Sequence, residues 1–243
     1  MRIEIWSDIV CPWCYIGKRR LEKALAGFAH RDEVQIVYRS FQLDPAAPST
    51  PVETVAQALG RKYGGGEAAG RQMIDRVEAA AAEEGMVWRH HSSQRVGTAD
   101  AHRLLHLALE EGQAGRQEEL KEALLHAYFV NAENVADHDI LRRIAIEVGL
   151  DPQRVDQVLA GREFEEAVEA DIAQAAAFGA TGVPFYVVDR TYGIPGAQPA
   201  EVFAQVLEKA WTESHPALQT VGGPTGGDQA GTGETCGPDG CAI

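Results

Sequence analysis

A chain of 243 residues with a formal net charge of −14 is a poor partner for nucleic acid or an anionic membrane, since both are bound through basic surface. Apolar residues make up 45 % of it and charged residues 24 %, the balance of a globular protein with a full core. No apolar run approaches the ~20 residues that span a bilayer. Met1-Arg2 leads directly into the first strand, so no signal peptide is expected and the predicted compartment is the cytoplasm.

Arg2-Ile3-Glu4-Ile5-Trp6 alternates and is β-branched, which predicts a strand. Ile16, Leu21 and Leu25 then recur at helical spacing. Between the two lies Cys11-Pro12-Trp13-Cys14, so both cysteines fall where a strand turns into a helix. Free N–H groups and the positive end of the helix dipole favour a thiolate there, which predicts a lowered thiol pKa. Pro12 suits the first helical turn, where its missing N–H has no partner to lose. Half a zinc site is the plain alternative, but a third and fourth ligand at knuckle spacing are not nearby. Two incidental core cysteines leave the strand–motif–helix context unexplained. The chain has four cysteines in two close pairs, and in a reducing compartment such pairs are transient and catalytic rather than structural.

Val34–Phe41 is a second strand, parallel to the first if the intervening helix makes a βαβ unit. From about residue 52 to 178 the composition turns to Ala, Glu, Leu, Arg and Gln, and helices are predicted over 52–63, 67–84, 98–111, 117–130, 137–148, 151–159 and 163–178. Thr98 is read as an N-cap, Gly149 as a helix terminator, and Asp151-Pro152 as a cap followed by a first-turn proline. Phe185–Val188 is a buried strand, Thr191–Pro195 a returning one, and Pro199–Glu213 a last helix with Val202, Phe203, Val206, Leu207 and Trp211 on its apolar face. From Ser214 the chain is mostly Gly, Thr, Pro and acidic residues, a composition that predicts a flexible tail, closed by Cys236-Gly237-Pro238-Asp239-Gly240-Cys241.

The order β-α-β, helices, β-β-α, with Cys-x-x-Cys opening the first helix and Pro184 opening the third strand, resembles the thioredoxin fold, and the helical insertion resembles its DsbA-like subgroup. Ser7–Gly17, Arg39–Leu43, Gly179–Phe185 and Gly193–Gln198 are similar to the FrnE branch. The resemblance covers about residues 2–213. It implies an α/β fold with a thioredoxin-like mixed sheet in a discontinuous domain, 1–50 and 179–213, with an all-helical insertion domain at 51–178 and a tail at 214–243. It further implies a disulfide reductase or isomerase without a cofactor, acting on protein or small-molecule disulfides and thiols, glutathione or a thioredoxin-type reductant among them. Cys11, held to be the more exposed, is implied as nucleophile and Cys14 as resolving thiol. Pro184 matches the family's cis-proline, presenting Val183 to an extended substrate beside Pro12 and Trp13. One position departs: the acid often found six residues before the first cysteine is Ile5 here. Glu4 and Asp8 are nearby acids without an assigned catalytic role.

The main competing resemblance is to kappa-class glutathione transferases and 2-hydroxychromene-2-carboxylate isomerases, in which a serine occupies the place of Cys11. A non-enzymatic reading has all four cysteines on one zinc ion. His102 and His106 share a helix face at metal-binding spacing but lack a third ligand, so capping or surface roles are expected. His90-His91 is read as a solvated loop pair, and Gly64-Gly65-Gly66 as a hinge lacking the Lys-Ser/Thr of a phosphate loop. The Cys236 and Cys241 pair, at the end of a reach of roughly 25 Å, has two readings: a second disulfide that exchanges with Cys11 and Cys14 in its own chain, or in a second copy if the chain forms a homodimer, and incidental cysteines of a disordered tail.

Overall fold

Around β1 (Arg2–Ser7) the computed structural model, which describes residues 1–112 and 115–216, arranges a four-stranded mixed sheet. β2 (Gln35–Ser40) runs parallel to β1 after the crossover helix α1 (Pro12–Ala26). β3 (Phe185–Val188) is antiparallel on the other side of β1, and β4 (Tyr192–Pro195) completes the order β2-β1-β3-β4. Register places Ile3 opposite Ile36 and Val188, and Ile5 opposite Tyr38 and Tyr186.

Between β2 and β3 stand α2 (Val55–Tyr63), α3 (Gly66–Glu83), α4 (Ala99–Glu110), α5 (Arg116–Phe129), α6 (His138–Glu147), α7 (Pro152–Ala160) and α8 (Glu165–Ala177); α9 (Ala200–Ser214) follows the sheet. The helix ends follow local chemistry. Thr54 and Gln57 form a reciprocal capping box that starts α2 three residues later than the composition suggests. Asp137 and Asp151 cap α6 and α7 through their carboxylates. Thr98 does stand before α4, but its side chain makes no capping bond.

Strand alternation sorts β1 between two faces. Ile3 and Ile5 enter a cluster with Leu21 of α1, Phe28 just beyond that helix, and Phe203 and Leu207 of α9. Glu4 and Trp6 turn to the other face, where the Trp6 indole donates to the Asp171 carbonyl of α8 at 2.7 Å. The largest apolar cluster lies among α3–α7 and takes in Ile9, Tyr15 and Ile16 from the cysteine segment. The start of α1 is therefore held by the helices as well as by the sheet. Among the described residues no helix is long and apolar enough to cross a membrane.

Candidate active site

Cys11 is the N-cap residue of α1 and Cys14 lies one turn inside it, with the Cys14 amide donating to the Cys11 carbonyl at 3.1 Å. Both are free thiols and both are buried, each 3 % exposed. Cys11 is thus not the more exposed sulfur. Position separates them instead: Cys11 lines a cleft of about 440 Å³ and Cys14 does not. Trp13, 45 % exposed, stands at the mouth of that cleft with Pro12.

The Val183–Pro184 bond is cis, and the Cys11 thiol faces the Val183 carbonyl at 3.6 Å. Pro184 is buried and Val183 half-buried, so the start of β3 is laid beside the start of α1. Gly17 permits this approach. A Cβ there would stand 2.3 Å from the Tyr186 hydroxyl and 3.2 Å from Pro184 Cγ.

The thiols ionise as a pair. Burial pushes Cys14 up, but its hydrogen bond with Cys11, the Lys121 charge and the Ser7 hydroxyl together bring it below an ordinary thiol. The same hydrogen bond with Cys14, and burial, hold Cys11 well above one. The expectation of a lowered pKa at the helix start thus holds for Cys14 and fails for Cys11, whose proton is held by the hydrogen bond to its partner.

Beneath the cysteines lies a polar group whose parts are far apart in the chain. The Asp8 carboxylate accepts from the Ile9 amide at 2.7 Å and the Leu43 amide at 2.8 Å, and meets His102 Nε2 at 3.2 Å. Burial raises Asp8, yet the His102 hydrogen bond and charge and the Leu43 amide hold it below the usual carboxylate range. Burial lowers His102 despite Asp8. A neutral ring donating from Nε2 to an ionised Asp8 satisfies both directions. Lys121 of α5 is also buried here, its amine 3.5 Å from the Ser7 carbonyl.

Neither histidine of α4 has a surface role. His106 is buried too, bonded to Ser40 Oγ at 3.2 Å and to Asp171 at 3.1 Å. His90 is likewise buried, in a cleft wall against Phe129, whereas His91 is half-buried and pairs with Asp75. Sequence reasoning gave Lys121 and Ser7 no role: no spacing in the chain links Lys121 to the cysteines, and Ser7, although it opens the Ser7–Gly17 segment, carries no sign that its hydroxyl bears on Cys14. Glu4 is locked to Arg39 at 2.6 Å and to Arg190 at 3.2 Å, away from the thiols. Cys236 and Cys241, and with them the exchanging pair and the four-cysteine zinc site, lie outside the described residues.

The cleft runs from Cys11 and Val183 between apolar walls. Val55, Ala58 and Leu59 come from α2, and Met73, Ile74 and Val77 from α3. Its rim carries Arg61, Lys62 and Arg95, with Arg61 and Arg95 paired to Glu53 and Asp44.

A family model described as a DSBA-like thioredoxin domain matches residues 2–208. The chain is 26 % identical over 209 residues to the uncharacterized protein YwbO of Bacillus subtilis, covering 85 % of this chain and 96 % of that one. A crystal structure of a probable DsbA oxidoreductase from Streptomyces coelicolor is similar at 46 % identity and a TM-score of 0.82, covering 100 % of this chain and 99 % of the other. The cytosolic disulfide reductase DsbM from Pseudomonas aeruginosa, solved with GSH, has a TM-score of 0.61 at 16 % identity, covering 87 % of this chain and 99 % of its own. That last likeness is one of fold.

Proposed function

The chain belongs to the DSBA-like thioredoxin family, and from that premise we propose that it is a thiol–disulfide oxidoreductase of the reductase or isomerase type. The observation that carries the reading is a free dithiol at the N-terminus of α1, its outer sulfur 3.6 Å from the Val183 carbonyl.

Cys11 is the nucleophile because access decides which sulfur of the pair attacks: it borders the cleft and Cys14 does not. Cys11 passes its proton to Cys14 across the hydrogen bond between them and, as thiolate, attacks one sulfur of a substrate disulfide. The Cys11–substrate S–S bond forms, the substrate's own S–S bond breaks, and the first substrate sulfur leaves with the electron pair. Cys14 then attacks Cys11 Sγ and expels the second. The substrate gains two electrons and the protein ends with a Cys11–Cys14 disulfide.

Val183 offers backbone to an extended substrate, Pro12 and Trp13 border it, and the apolar walls receive an apolar arm. Glutathione or a thioredoxin-type reductant returns the pair to the dithiol, which suits the reducing pool of the cytoplasm.

In a coupled assay of insulin-type disulfide reduction, Cys11→Ser abolishes turnover. Cys14→Ser accumulates substrate mixed disulfides visible by mass spectrometry. Full turnover by Cys11→Ser overturns the assignment.

A further inference from the structure

Among the described residues near the cysteines, Lys121 is a buried cation with no carboxylate at ion-pair distance. It is 1 % exposed. Other buried cations are well supplied. Lys18 has Glu22, Glu118 and Glu122. Arg103 has Asp100 and the carbonyls of Val158, Gly161 and Glu163. Among the described residues Lys121 has a single acceptor, the Ser7 carbonyl at 3.5 Å, and the Tyr38 ring with its centroid 5.7 Å away. An ammonium offers three donors, and holding it dry with so little compensation is costly. A methionine of the same reach fills that space without the cost, so packing does not account for the lysine.

What lies around the amine does. Ser7 and Asp8 form the corner between β1 and α1, and Ser7 carries the hydroxyl that bears on Cys14. The groups around Lys121 are Cys11 at the N-cap of α1, Cys14 and Lys18 within it, Ser7 and Asp8 from the corner, Tyr38 from β2 and His102 from α4. Burial lowers the lysine, and both thiols and Asp8 draw it back up.

The chemistry of the second step says when this matters. In the resting dithiol, Cys11 supplies a hydrogen bond to Cys14. Once Cys11 is tied into a mixed disulfide that bond has lost its proton, while Cys14 must be a thiolate to attack. Resting on the dithiol reading above, we infer that Lys121 is the positioning residue that holds Cys14 as a thiolate in the mixed disulfide, in place of the acid absent at Ile5. The Cys14 proton departs on the first leaving sulfur, giving a free thiol. The Cys14 electron pair then forms the bond to Cys11 Sγ, and the second substrate sulfur leaves as thiolate.

The test reads ionisation rather than turnover. Cys11→Ala leaves Cys14 as the sole thiol of the motif and removes the Cys11 hydrogen bond, as a mixed disulfide does. The C-terminal cysteines are replaced by serine in every variant, so that alkylation rate against pH reports Cys14. Two results are expected. Cys14 in Cys11→Ala titrates below the ordinary thiol value of about 8.5 despite its burial. Adding Lys121→Met raises that midpoint by about one unit, so that neutral-pH alkylation slows about tenfold. Exchanging a buried charge for an apolar residue is often neutral or stabilising, and a thermal melt confirms that the variant is folded. A midpoint unmoved by Lys121→Met overturns the inference. So does a Cys11→Ala midpoint above 8.5, a measurement that does not depend on the Lys121 variant folding. Neither reading requires substrate, so failure of insulin reduction counts against the proposed function alone.

Discussion

His90 illustrates how a residue's neighbours set its chemistry. It is 3 % exposed, packed on Phe129 with ring centroids 4.9 Å apart, and burial followed by the charge of His91 lowers it to about 4. In the unfolded chain it titrates near 6.5. Between those values the unfolded state binds a proton that the folded state refuses, so stability falls as pH drops through the window. We expect His90 to account for a loss of about 2 kcal/mol between pH 7 and pH 5. Urea unfolding at both values, compared with His90→Phe, isolates that part: the variant shows the shallower pH dependence. Nothing at 90–91 announced this, because two adjacent histidines after a glycine-containing loop read as solvent. The place of Cys11 and Cys14 at the start of α1 was legible because a strand-to-helix turn is local, and the cis bond at Pro184 was legible through the resemblance. His102 and Asp8 were not, being 94 residues apart.

At the level of elements, α2 and α3 form a hairpin whose backbones touch. A Cβ on Gly70 would stand 1.9 Å from the Ala56 carbonyl oxygen, and one on Gly60 2.0 Å from that of Gly66. Neither glycine is needed for its dihedrals; each is needed because another backbone occupies the space. These two helices also supply facing walls of the cleft, through Leu59 and Ile74 among others. Gly70→Ala should therefore cost about 1–3 kcal/mol of stability by overpacking and splay the walls. Disulfide substrates with an apolar arm should be reduced more slowly, while alkylation of the Cys11–Cys14 pair by a small reagent should keep its rate. Equal losses in both assays point instead to damage at the motif. The existence of both helices was written in their composition. Their close approach was not, since a glycine in a helix says nothing of what lies opposite it.

Across the whole molecule, sheet and helices are joined by buried ionic contacts as well as by apolar packing. Asp171 of α8 accepts from the Ser40 amide at 2.8 Å and meets His106 at 3.1 Å and Arg39 at 3.3 Å, while Arg39 reaches on to Glu4. One carboxylate thus ties α8 to α4 and to the first two strands. Asp171→Ala strands the Ser40 amide and half of the Arg39 pairing, and should cost about 3–5 kcal/mol in urea unfolding. A loss below 1 kcal/mol shows the contacts to be dispensable. The parallel pairing of the first two strands followed from β-α-β reasoning, because local patterns and a short crossover leave few choices. The ionic seam was hidden: Asp171 in an Ala-rich helix reads as one more solvated acid, and only the meeting of α8 with β2 gives it partners.

The pairing of β1 with β3 also carries a consequence for synthesis. Ile3 lies opposite Val188, and Cys11 faces Val183 across 172 residues of sequence. A ribosome adding ~5–20 residues per second needs roughly ten to thirty seconds to cover that distance. Throughout that interval the nascent chain carries its dithiol, but not the strand that stands beside it. Each time the protein is made, both cysteines of the motif are in place well before the Val183 carbonyl that faces Cys11.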